Sequence, residues 1–150
     1  MRRGVLFLGC LWWLFLVAGC GDGRPLRVPA GGVVWVDGKP VTGEFNGFVR
    51  LYSLEGKRPS SGRIGSDGRF VLGNFDEADG CPPGVYQVEV SATISDGPRK
   101  VKYLIPPRYG LRETSGLTVT ISKECTDLVI ETKWLPEDGK YRGKFVNAAM

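Results

Sequence analysis

Residues 86–92 change character at every step: Tyr86, Val88, Val90 and Ala92 are apolar, while Gln87, Glu89 and Ser91 are polar. A period of two is the pleat of a β-strand with one face in a core and the other toward water. Leu117, Val119 and Ile121 alternate with Thr118, Thr120 and Ser122 in the same way, and Leu128, Ile130 and Trp134 continue the habit across residues 127–134. Shorter strand-like runs lie at 32–36, 48–52, 61–64 and 69–72, with a further one at 99–105 that Pro106-Pro107 stops. Asp37-Gly38 and Asp67-Gly68 are hairpin turns in waiting, because both residue types tolerate the positive φ that a tight turn demands. No amphipathic run of helical period competes, although residues 106–114 could hold one short turn of helix. Roughly seven to eight short strands with regular turn signals predict an all-β fold, a single antiparallel β-sandwich; an OB-like barrel is the alternative. Alternation points Val34, Val36, Val49, Leu51, Phe70, Leu72, Tyr86, Val88, Val90, Leu117, Val119, Leu128 and Ile130 inward.

Composition narrows the chemistry. The chain has no histidine, which removes the commonest general base and the commonest metal ligand, and with them Ser-His-Asp, Cys-His and ordinary zinc machinery. No phosphate-cradling glycine loop or nucleophile elbow is present. Twenty basic side chains stand against 16 acidic ones, and Arg2 and Arg3 belong to the extreme N-terminus. The remainder is near balance, without a basic cluster interleaved with aromatics, so no nucleic-acid partner is expected. No cofactor, metal site or catalytic residue is expected either.

Residues 4–19 form an uncharged apolar run behind Arg2 and Arg3, closed by Leu16-Val17-Ala18-Gly19-Cys20. A positive start, a short apolar segment and small residues before a cut are the parts of an export signal. The closing pattern resembles the lipobox of bacterial lipoproteins. That resemblance implies cleavage after Gly19 and a diacylglycerol thioether on Cys20, the first mature residue. The alternatives are an ordinary cleaved signal and an uncleaved anchor, the latter short of the roughly 20 apolar residues that a spanning helix needs. The organisation expected is a signal peptide at 1–19, a lipidated tether at 20–29, the sandwich at 30–134 and a C-terminal tail at 135–150. The tail is expected to fray, or at most to add an edge hairpin at Asp138-Gly139. The lipid makes the membrane a partner and the bacterial cell envelope the location. Gly21, rather than Asp, after the cysteine favours the outer membrane over the inner one by analogy with known sorting rules.

The stretch V-W-V-D-G-K-P-V at 34–41, the S-D-G-R-F at 66–70 and the P-G-V-Y-Q-V at 83–88 resemble the strand and hairpin motifs of carboxypeptidase-regulatory-like and transthyretin-like sandwich domains. I-P-P-R-Y at 105–109 followed by T-S-G-L at 114–117 is similar to the layout of small envelope lipoproteins of this type. The matches span about residues 28–134 and imply fold and location rather than a reaction. Tyr141-Arg142-Gly143 resembles the ending of the transthyretin-like hydrolases of purine breakdown, but those enzymes depend on histidines and this chain has none.

With Cys20 acylated and Cys10 discarded, Cys81 and Cys125 remain, and an even remainder in an oxidising compartment makes a disulfide between them a candidate; two free thiols are the alternative. The acidic residues 76–80 could supply part of a calcium shell but read better as a solvated connection between strands. Arg99, Lys100 and Lys102 read as an exposed strand face. If Val34, Val36, Val49 and Leu51 point inward, Trp35, Phe48, Arg50 and Tyr52 point outward, and they share a contact surface should the two runs pair in one sheet. The function expected is a non-enzymatic, lipid-anchored envelope module that binds a protein or polysaccharide partner. The alternative is a carbohydrate-binding or carboxylate-dependent glycan-processing protein, for which Glu44, Glu55, Asp76 and Glu89 are the available acids.

Overall fold

β6 (Gly84–Ser95), the stretch of strict alternation, is the longest strand and the one on which the larger sheet is assembled. The computed structural model describes residues 23–147; the expected signal peptide, Cys20 and the first residues of the tether lie outside the described residues. On one edge of β6, β3 (Asn46–Ser53) pairs antiparallel from Asn46 beside Thr93 to Ser53 beside Tyr86. On the other edge β8 (Thr118–Ile121) and β7 (Lys100–Tyr103) occupy opposite ends. β4 (Ser60–Arg63) extends the sheet beyond β3, and β10 (Phe145–Asn147) extends it beyond β7.

The smaller sheet is built on β1 (Ala30–Val36). Along one edge of β1 run β5 (Arg69–Val71) and the two residues of β2 (Lys39–Pro40), and along the other runs β9 (Cys125–Thr132). The β1–β2 turn is the expected one, with Asp37 at φ 50° and Gly38 at φ 79°. Asp67-Gly68 likewise turns β4 into β5, and two isolated bridges, Ser61 with Gly73 and Ile64 with Phe70, stitch those strands together at one side of the molecule. The architecture is the all-β sandwich of the sequence reading, and the barrel alternative does not form among the described residues.

One pairing departs from a purely antiparallel sandwich. β9 runs parallel to β1, from Val33 beside Val129 to Val36 beside Thr132. Alternation specifies which face a residue takes but not which way its strand runs. Parallel neighbours require a long crossover, and here the crossover is the rest of the domain. The close approach is possible because β1 carries glycine at its crowded point: a Cβ on Gly32 would lie 2.0 Å from the Leu128 carbonyl oxygen.

Between the sheets Val34, Val49, Leu51, Phe70, Leu72, Tyr86, Val88, Val90 and Ile130 are buried as expected, while Val36, Leu117, Val119 and Leu128 are partly buried against them. Each full burial contributes roughly 1.5–3 kcal/mol. The Tyr86 hydroxyl donates to the Pro82 carbonyl at 2.5 Å, so this fully buried phenol is not left without a partner. Residues 106–114 hold two short turns rather than one, a 3-10 turn at Pro107–Gly110 and α1 (Arg112–Ser115), and they bring Tyr109 into the core.

The C-terminal segment is tied down rather than frayed as far as residue 147. A 3-10 turn at Pro136–Lys140 buries Asp138, which accepts from the Leu135 amide at 3.0 Å and ion-pairs with Arg108. The chain then returns to add β10 to the sheet edge. Arg142, in the Tyr141-Arg142-Gly143 stretch, ion-pairs with Asp37 at 2.8 Å, so its charge serves this closure.

Candidate functional site

Alternation along β3 sends Phe48, Arg50 and Tyr52 to the outer face of the larger sheet. There Arg50 is the centre of a small network. Its Nη1 donates to the Tyr52 hydroxyl at 3.2 Å and lies 3.5 Å from Glu89 Oε2, and its guanidinium carbon stands 5.1 Å from the centre of the Phe48 ring. Glu89 is its direct neighbour in the sheet register. The sequence reading turned Glu89 toward solvent; it does face outward, yet it is buried, because Arg50 lies against it and α1 leans over it. The Arg112 amide donates to Glu89 Oε1 at 3.2 Å, and the Arg112 guanidinium sits 4.9 Å from the Tyr52 ring centre.

Trp35, the fourth residue of the expected contact surface, is not there. It lies on β1 in the other sheet, between Pro40 and Glu131, so the two runs do not pair and the surface as expected is divided. The sheet register instead brings Arg63 of β4 beside Phe48. Phe48, Arg50, Arg63, Arg69, Val71 and Glu77 line a groove of about 800 Å³ that follows β4 and β5. Arg63 and Arg69 are exposed, and among the described residues neither guanidinium has a hydrogen-bond or ion-pair partner. Sequence reasoning missed both, since each falls in a strand too short to announce its face. The geometry supplies an aromatic ring, two unengaged forked donors and a single acid at the rim, an arrangement that can hold an oxyanion against an apolar surface.

The acidic connection at 76–80 is engaged by the protein itself. Asp79 accepts from the Asn74 amide at 2.6 Å and the Phe75 amide, and pairs with Arg27 at 3.1 Å; Asp76 pairs with Arg24 at 2.6 Å. Burial works to raise the Asp79 pKa, but the amides of Asn74, Asp76 and Phe75 and the charge of Arg27 outweigh it, and the carboxyl is held below its ordinary value of 3.8. Three guanidiniums, those of Arg24, Arg27 and Arg58, stand 5.0–5.5 Å from the centre of the Phe75 ring. This assembly fastens the chain before β1 to the loop after β5.

The acids of the glycan-processing alternative are dispersed. Glu89 is held by Arg50, Asp76 by Arg24 and Glu55 by Lys57, and Glu44 borders a different, smaller cavity from the one Glu77 borders. The candidate disulfide is corrected as well: Cys81 and Cys125 are free thiols. Val28 pairs with Cys81 on one edge, and the Pro29 carbonyl receives the Cys125 amide on the other. Two strand spacings, roughly 9–10 Å, therefore separate the cysteines, beyond the reach of a disulfide. Cys81 precedes the Tyr86 strand as expected, whereas Cys125 is the first residue of β9 rather than part of the turn before it, and a third segment runs between the two. Burial, followed by the negative charge of Asp127, raises the Cys125 thiol pKa.

The described residues form an all-β sandwich with a groove along β4 and β5. No family model, curated protein or solved structure matches the chain.

Proposed function

We propose that this chain is a lipid-anchored, non-enzymatic envelope module that holds an acidic envelope polymer in the groove along β4 and β5. The observation that carries the binding reading is the pair of unengaged guanidiniums, Arg63 and Arg69, beside the exposed ring of Phe48 in one groove. Arginine forks suit carboxylate or phosphate groups, and an aromatic ring suits the apolar face of a sugar. The anchoring reading rests on Leu16-Val17-Ala18-Gly19-Cys20 behind its apolar run, with the outer membrane favoured by Gly21. The resemblance of the D-G-x-P, D-G-x-F and P-G-x-Y segments supports reading the module as of the carboxypeptidase-regulatory-like or transthyretin-like type.

Two measurements test it separately. Mass spectrometry of the mature N-terminus should find an acylated Cys20; an unmodified Cys20 or an intact Met1 overturns the anchor. Recovery of anionic envelope glycan with the detergent-solubilised protein should fall at least about tenfold when Arg63 and Arg69 are both replaced by serine, as expected for loss of two charge-assisted contacts. Equal recovery by the two proteins overturns the groove.

A further inference from the structure

We infer that the outer face of the smaller sheet is a contact for a second copy of this chain. Register sets its side chains in rows. Arg69 of β5, Val33 of β1 and Val129 of β9 form one row, and Pro40, Trp35 and Glu131 form the next; Val71 stands beside Gly31 in the row before. Val71 and Val129 are 58% and 54% exposed, and with Val33, Trp35 and Pro40 they make one continuous apolar strip. Single exposed apolar residues are ordinary, but a contiguous strip across four strands is not.

Charge identifies the occupant. The basic flank of the strip, Arg69, lies on the β5 side of β1, and the acidic flank, Glu131, lies on the β9 side. A twofold axis parallel to β1 turns one copy onto the other so that β5 of each covers β9 of its partner. Each Arg69 then meets the partner's Val129, with the partner's Glu131 two residues along the strand, roughly 6.6 Å, which an arginine side chain spans. The valines and Trp35 close on their counterparts in aligned sheet-on-sheet packing. Both flanks are available for this: Arg69 has no side-chain partner among the described residues, and Glu131 has only the exposed Lys133 at 3.3 Å.

The same axis leaves the two β1 strands pointing one way, so the segments that precede them leave at the same end. Two lipids could then enter one membrane. This last point rests on the anchored reading above; the strip and its charges do not.

Sedimentation of the full chain in density-matched detergent, over a range of concentrations, tests the inference. The unmodified chain should form dimers. Arg69→Glu alone and Glu131→Arg alone should each weaken dimerisation at least about tenfold by setting like charges across the contact. The double variant R69E/E131R should restore it to within about threefold, which a merely misfolded single variant could not explain. Arg69 and Val71 also border the groove, so Glu131→Arg, outside it, separates the two readings: loss of dimer there with glycan recovery retained belongs to this contact and not to the groove. A chain that stays monomeric throughout, or dimers that both single variants leave unchanged, overturns it. A monomer that instead recovers a different protein through this strip overturns it too, and assigns the face to that partner.

Discussion

On the outer face of the larger sheet, Arg50 touches an aromatic ring, a hydroxyl and a buried carboxylate, and a short helix leans over the group. Its neighbour Arg63, one register row away on the same face and beside Phe48, has no hydrogen-bond or ion-pair partner among the described residues and opens onto the groove. Two arginines on adjacent strands thus do different work. Arg50 keeps a buried acid compensated, and Arg63 is left open to solvent. Being outward in a sheet is therefore not the same as being free, and only neighbours tell the two apart.

The core beneath both residues sets the largest effect. Val88 lies 1% exposed directly inside the Arg50 row, opposite Leu51. Val88→Asp should leave the chain unfolded by circular dichroism, since an unpaired carboxylate would lose its hydration there. A variant that melts with the parent would mean that the inward face of β6 is assigned wrongly and the Arg50 and Arg63 faces with it.

Next comes the union of β1 and β9. Gly32→Val sets a side chain into the Leu128 backbone and should cost about 3 kcal/mol or more in chemical denaturation, by overpacking. Gly110→Ala, where a Cβ meets open space, should fall within about 0.5 kcal/mol of the parent.

The arginine contrast itself is read by a pair of truncations. Arg50→Ala abandons Glu89 and should destabilise by about 2 kcal/mol, below the usual cost for a fully buried pair because the arginine is half-exposed. Arg63→Ala should stay within about 0.5 kcal/mol, while lowering glycan recovery. Equal melting temperatures for the two variants would erase the distinction.

The smallest effect is one of pH. The Asp79 pKa is lowered in the folded protein, so the stability it contributes is present above its ordinary value of 3.8 and is lost as pH falls below it toward the lower folded value. Thermal melts between pH 5 and about 2 should therefore show a steeper loss in the parent than in Asp79→Asn. Parallel curves would mean that the Asn74 and Phe75 amides do not hold the carboxylate as described.

The period-two runs made the sandwich readable, because a strand half in a core must alternate, and Val88, Val90 and Leu51 lie where that rule puts them. What alternation could not carry was partnership. It did not say that Trp35 and Phe48 belong to different sheets, that β9 runs parallel to β1, or that residues 28–30 pass between Cys81 and Cys125. Those are outcomes of pairing between segments far apart in the chain. Arg63 and Arg69 were hidden for a different reason: four- and three-residue strands are too short to reveal a period. The Arg58–Phe75 contact joins loops and the Arg108–Asp138 contact joins two short 3-10 turns, segments too irregular or too short to carry a periodic signal.

The parallel pairing of β1 and β9 also governs time. β1 is the first strand of the described chain, yet the neighbour that fills one whole edge of it begins at Cys125. A chain ending after Ile121 would hold β1 with that edge bare and with no Ile130 or Thr132 to close the core. Contacts of such sequence separation must bear the entropy of closing a long loop before they return any stability, which places this topology among domains that fold in milliseconds to seconds rather than microseconds. Until residues near 130 arrive, the smaller sheet is an unfinished template, and its seven-residue edge is open to the wrong strand.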